Sequence, residues 1–242
     1  MKKILYLLVF SLLLSNCLPR KTSYMQAESM VFVDTVRNRK IPVEIYTNPQ
    51  VNLRKQLVII NNGYGSSNTE YSYIAKRLIN LGYVVVCIQH EQPKDEEMPS
   101  PENRKPVWER GVKNVEWVVN SMKKTYKNID NNNLILIGHS NGGDITMLFS
   151  TLYPQRVAKA ITLDHRRMII PRVSKPSILS LRADEFEADK GVLPNSEEQK
   201  QFGIQIHTFP NSKHDYFRDV APEAIKKEIS QKIVDFIVSK PK

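Results

Sequence analysis

The chain has 242 residues, 41% of them hydrophobic and 25% charged, which excludes a disordered, collagen-like or disulfide-stapled chain and allows one α/β domain with a large core, or at most two small ones. Lys and Arg number 35 against 25 Asp and Glu, a net charge of +10 at pH 7. The excess is spread along the chain, and no basic run interleaved with aromatics marks a nucleic-acid surface.

Met1-Lys2-Lys3 leads into Ile4 to Leu14, apolar apart from Tyr6 and Ser11. A bilayer span needs about 20 such residues, so residues 1–16 read as a secretory signal peptide. The run meets Leu14-Ser15-Asn16-Cys17, which resembles the bacterial lipoprotein signal, with Asn16 where a small residue is usual. That resemblance implies a lipid on Cys17, membrane association through it, and a mature protein in the cell envelope; plain secretion is the alternative. The other cysteine, Cys87, lies inside the apolar run Val84 to Ile88. It is expected to be a lone buried thiol, with no disulfide.

Residues 17–30 read as a polar tether, and 31–242 as the domain. Val31 to Val36 and Ile41 to Tyr46 alternate as a hairpin across Arg37 to Lys40. Continuous apolar runs follow at Gln56 to Ile60, Tyr83 to Ile88, Leu134 to Ile137, Ala160 to Leu163, Ile178 to Leu181 and Ile204 to Phe209. Strands look like this when helices cover both faces of a parallel sheet. Between them, Tyr71, Ile74, Ala75 and Leu78 share one helical face. So do Val112, Val115, Val119 and Met122, and then Ile225, Ile229, Ile233 and Phe236. The fold class is α/β, a mostly parallel doubly wound sheet with an N-terminal antiparallel hairpin. Two stretches are irregular: the polar loop Glu91 to Lys105, which with Trp108 is placed at the rim of a pocket, and the crossover before Ser174 to Pro176. Neither is large enough for a lid domain.

The segment richest in chemistry is Leu134 to Gly143, where a strand ends and a helix begins across Gly138-His139-Ser140-Asn141-Gly142. A nucleophile elbow requires this pattern, because side chains two residues either side of the serine would strike neighbouring backbone. The turn lifts the Ser140 hydroxyl to the C-terminal edge of the sheet, where open α/β sheets place their ligands. A neutral hydroxyl needs a base, and five histidines are available. His139 points away from the reacting side and packs at the elbow. His90 and His165 could line the pocket, and His207 alternates within a strand. His214 lies in the loop between the last strand and the last helix.

On the elbow and this arrangement the chain resembles the α/β-hydrolase family from about Val31 to the end. It is most similar to small lidless members such as dienelactone hydrolases and bacterial relatives of platelet-activating factor acetylhydrolase. The resemblance implies an eight-stranded sheet, a Ser, acid, His triad in that order, and an oxyanion hole after the third strand. His214 matches the family's histidine. The acid usually follows the strand written here Ile178 to Arg182, where Asp184 stands first; Glu185 and Asp189 remain open, and Asp164 is an outside candidate. The oxyanion donors would be the backbone N–H of Asn141 and that of Tyr64. Tyr64 lies in Asn61-Asn62-Gly63-Tyr64-Gly65, which resembles the family's H-G-x-G turn with Asn62 in place of His.

The resulting expectation is a serine esterase acting on a small-molecule ester through an acyl-enzyme. A peptidase or amidase on the same triad, and a catalytically idle envelope binding module, are the alternatives. No metal-ligand spacing, phosphate loop or dinucleotide fingerprint occurs, so neither metal nor cofactor is expected.

Overall fold

Val, Ile and Leu fill the central strands because both faces of each strand are covered. In the computed structural model, which describes residues 24–239, Leu57 to Ile60 and Val84 to Ile88 are fully buried. The elements run β1 (Gln26–Asp34), β2 (Arg39–Thr47), β3 (Gln56–Asn61), α1 (Ser72–Ile79), β4 (Val84–Ile88), α2 (Lys105–Thr125), β5 (Asp130–His139), α3 (Asn141–Leu152), β6 (Val157–Leu163), β7 (Ser177–Ala183), α4 (Ser196–Phe202), β8 (Gln205–Phe209) and α5 (Glu223–Val238). They form one eight-stranded sheet in the order β1-β2-β4-β3-β5-β6-β7-β8. β2 is antiparallel to both neighbours, and β3 to β8 are mutually parallel where they pair.

Alternation along each strand separates two cores. Leu57, Ile59, Val84 and Val86 pack under Val112, Val115, Val119 and Met122 of α2 and Ile145 and Phe149 of α3. Val58, Ile60, Val85 and Cys87 face Ile74, Ala75 and Leu78 of α1 and Ile229, Ile233 and Phe236 of α5. The three apolar stripes legible in the sequence are thus the buried faces of α1, α2 and α5. From β3 the chain crosses to β4 on one side, and from β5 it crosses to β6 on the other. The order therefore reverses between β3 and β5, and the crevice outside their C-terminal ends is the place for a ligand.

The structure departs from the sequence reading in three places. β1 begins at Gln26, so residues 26–30 of the expected tether belong to the sheet. They are mostly exposed, and what holds them is backbone pairing from Gln26 opposite Thr47 to Met30 opposite Val43, which a hydrophobic pattern does not register. The short α4 has no apolar stripe; it is set by a capping box in which the Asn195 side chain accepts from the Glu198 N–H. Trp108 is buried under the site rather than at its rim. The irregular crossover from β6 to β7 has no helix. The signal peptide 1–16 and Cys17 lie outside the described residues. No described helix is long and apolar enough to cross a membrane.

Candidate active site

Ser140 has φ 52° and ψ −120° and stands directly before α3. A non-glycine residue holds that conformation only where its surroundings enforce it, and here the two elbow glycines do so. A Cβ on Gly138 would sit 2.1 Å from the carbonyl oxygen of Gly142, and one on Gly142 would sit 2.2 Å from that of Asn61. The turn is closed by the Ser140 N–H donating to Leu163 O at 2.9 Å and by Gly143 N–H donating to Ser140 O at 2.9 Å.

His214 follows β8. Its Nδ1 donates to Asp164 Oδ2 at 2.6 Å. Asp164 is the first residue after β6, is wholly buried, and has φ 51°. Its other oxygen accepts from the Ala183 N–H at 3.1 Å and meets Arg182 Nη2 at 3.2 Å. A carboxylate taken out of water needs such partners on both oxygens. Arg182 also donates to the His165 carbonyl, and burial pulls its pKa down against the pull of Asp164.

This corrects the sequence reading of the acid. Asp184 does not approach the imidazole. Its oxygens accept from the N–H groups of Asn211 at 2.6 Å and Ser212 at 2.9 Å. Glu185 accepts from the His214 N–H at 2.7 Å. Both are exposed and hold the backbone of the histidine loop, whereas Asp189 is exposed and fixes the next turn through its own N–H to Arg166 O at 2.9 Å. The outside candidate, Asp164, is the one placed against His214.

The other histidines divide as their positions suggest. His139 Nε2 donates to the His214 carbonyl at 3.1 Å, and its Nδ1 meets the Tyr71 hydroxyl at 3.1 Å. That hydroxyl accepts from the Gly63 N–H at 2.9 Å. Elbow, histidine loop and glycine turn are thus linked through one buried pair. Burial holds His139 well below the usual histidine range. It also pushes His90 and His165 down to about 3, so both are neutral. They do not line an open pocket: His90 Nε2 bonds Asn61 Oδ1 at 3.0 Å and His165 Nε2 bonds Met168 O at 3.1 Å. His207 sits on β8, 3.8 Å from Glu228.

The turn after β3 lies against the serine. A Cβ on Gly63 would meet Ser140 Cβ at 3.4 Å and His139 Nδ1 at 2.8 Å. The N–H groups of Tyr64 and Asn141 make no hydrogen bond to another described residue. Asn62, where histidine is usual, accepts from the His90 N–H at 3.1 Å and donates to Ser66 O at 2.7 Å. The polar loop folds over this turn, with the Met98 N–H donating to Tyr64 Oη at 3.2 Å.

The sequence reading gave Glu91 no role of its own, taking it only as the start of the polar loop at the pocket rim. Its carboxyl is largely buried between Asn62 and Asn141, and burial pushes its pKa up to about 7. Asp144, one turn into α3, is likewise pushed up to about 6 by burial, although it accepts from Met168 N–H at 2.8 Å and Arg167 N–H at 3.1 Å. No group of three or more His, Cys, Asp or Glu is placed to hold a metal among the described residues.

A family model described as serine aminopeptidase, S33, matches residues 53–163, which hold the glycine turn and the elbow but stop short of Asp164 and His214. No curated protein sequence matches the chain. Among solved structures, a hyperthermophilic esterase from the archaeon Pyrobaculum calidifontis is 16% identical with a TM-score of 0.66, covering 88% of this chain and 82% of its own. A dienelactone hydrolase from Anabaena variabilis is 14% identical with a TM-score of 0.63, covering 90% and 100%. An α/β serine hydrolase without a lid from Xanthomonas campestris is 13% identical with a TM-score of 0.60, covering 89% and 97%.

Proposed function

We propose that this chain, an α/β hydrolase by fold with no lid among its described residues, is a serine hydrolase that cleaves a carboxylic ester. Ser140 would attack the carbonyl as His214 Nε2 takes its proton. The resulting tetrahedral oxyanion would be received by the N–H groups of Tyr64 and Asn141. His214, held in one tautomer by Asp164, would return the proton to the leaving alcohol. Water activated by the same imidazole would then release the acid from the acyl-enzyme. What supports this reading most is the 2.6 Å bond from His214 Nδ1 to a buried carboxylate, on a histidine whose carbonyl is held by His139, the residue before Ser140 on the strained elbow. An idle module has no use for a buried ion-paired acid aimed at one histidine.

Amide cleavage is the second reading, favoured by the matched model's description as an aminopeptidase. The test is turnover of nitrophenyl esters of increasing acyl length beside matched nitroanilides, in wild type and Ser140→Ala. We expect ester hydrolysis that favours short acyl groups and falls on the order of 10⁴-fold in the variant. Faster turnover of the anilide would select the amidase reading.

The lipid anchor on Cys17 and an envelope location are also proposed, on the sequence alone. Intact mass of the mature protein tests them, and an unmodified N-terminus elsewhere would remove the anchor.

A further inference from the structure

Glu91 is a carboxyl taken largely out of water beside a site where negative charge is to develop, and the proposed mechanism gives it no task. Its surroundings give it one. Oε2 accepts from Asn62 Nδ2 at 3.2 Å and Oε1 from Asn141 Nδ2 at 3.3 Å. Asn62 lies two residues before Tyr64, and Asn141 itself carries the other free N–H. One side chain therefore spans the two separate segments that supply the donors.

The orientation of both amides is fixed from outside. Asn141 Oδ1 accepts from the Trp108 indole N–H at 3.1 Å. Asn62 Oδ1 accepts from the His90 backbone N–H at 3.1 Å. With each oxygen engaged, each amide must turn its NH₂ toward residue 91. Two donors facing one side chain call for two acceptors, which a carboxylate has and a glutamine lacks. Turning either asparagine over to suit a glutamine would leave the indole or the His90 N–H without its acceptor. The tie between Trp108 and Asn141 also gives the buried tryptophan a role in setting the elbow.

We infer that Glu91 is a positioning residue that clamps the oxyanion hole, holding the Tyr64 turn and the first residue of α3 at a fixed separation. The inference rests on the serine-hydrolase reading. Burial of the group, which pushes its pKa up to about 7, opposes keeping a carboxyl there for packing alone. Catalysis by aligned donors depends on geometry held before the reaction begins.

The test compares wild type, Glu91→Gln and Glu91→Asp on an activated short-chain ester, with affinity for an alkyl boronic acid and thermal midpoint measured in parallel. A boronate forms a tetrahedral adduct on the serine, so its binding reports the hole without turnover. Loss of a whole oxyanion donor lowers kcat by about 10² to 10³. Misalignment is expected to cost less, so Glu91→Gln should lower kcat about 10-fold, with KM within about twofold. Boronate affinity should fall by the same factor as kcat. Glu91→Asp keeps both acceptors one methylene further away and should fall between. If Glu91→Gln does not fold, the test is read from Glu91→Asp, as a smaller drop in kcat at constant KM matched by boronate affinity. A wild type that turns over ester and binds boronate, with both variants within twofold on each, overturns the clamp alone. A loss confined to thermal midpoint and KM also overturns it. A wild type that does neither overturns the serine-hydrolase reading, and the clamp with it.

Discussion

At the end of β6, Asp164 is fully buried, its backbone is in the left-handed region, and its oxygens are divided among His214, Arg182 and the Ala183 N–H. At the end of β7, one strand over, Asp184 and Glu185 are exposed and accept from the backbone N–H groups of Asn211, Ser212 and His214. The two loops carry the same functional group and approach the same histidine loop. They differ in which part of it they reach. The buried carboxylate meets the imidazole, where low dielectric strengthens the interaction. The exposed pair meets the peptide backbone, where each bond orders a loop. Abundance of carboxylates therefore marks the scaffold of the histidine, and burial marks its partner.

The change that separates the two ends most strongly is Asp164→Asn. It keeps the shape but removes the acceptor that fixes the tautomer of His214, and turnover should fall on the order of 10³- to 10⁴-fold. Steady-state kinetics beside a thermal melt decides this. Undiminished turnover would return the acid to the β7 loop.

The same burial makes the β6 end acid-sensitive. His165 follows Asp164, and burial first, then Arg182, push its pKa down to about 3. The folded pKa lies below the unfolded value of about 6.5, so the unfolded chain binds the extra proton. Stability is present above about pH 6.5 and is lost as pH falls toward 3. His90 and His139 act in the same direction. Glu91 and Asp144, raised to about 7 and about 6, act oppositely, but only down to their ordinary values near 4. Urea midpoints should therefore decline gently from pH 6.5 to about 4.5 and steeply below it. His165→Gln should flatten the steep part, and an unchanged slope would remove the assignment.

Asp184→Asn leaves one of two backbone N–H groups without its carboxylate. It should lose about 10-fold or less in turnover and up to about 1 kcal/mol in stability. Glu185→Gln keeps an acceptor for the His214 N–H and should stay within about threefold. Asp189→Asn should be indistinguishable from wild type, because a screened surface charge acts weakly at a distance. Parallel kinetics on these variants sharpens the contrast, and a severe defect at any of them would break it.

Much of the frame was legible because it is written in local patterns. The runs at Val58 to Ile60 and Val84 to Ile88, the stripes of α1, α2 and α5, and the glycines around Ser140 each state their structure within a few residues. The place of His214 between the last strand and the last helix was legible. Asp164 was not, because the choice among acids depends on where the His214 ring falls after the chain has crossed the sheet; the one local signal was a polar Asp164-His165-Arg166-Arg167 run directly at a strand end. Glu91 was hidden for the same reason. Its neighbours, Asn62 and Asn141, are 29 and 50 residues away along the chain, and only the packing of β3, β4 and α3 brings them together. The strand start at Gln26 depends on backbone pairing that leaves no apolar signature.

The most direct measurement is covalent labelling by a fluorophosphonate probe, with the adduct located by peptide mass, in wild type and in Asp164→Asn. The account predicts a single adduct on Ser140 that forms at least about 100-fold more slowly once Asp164 can no longer orient His214. An adduct on another residue, or equal rates in the two proteins, would contradict it.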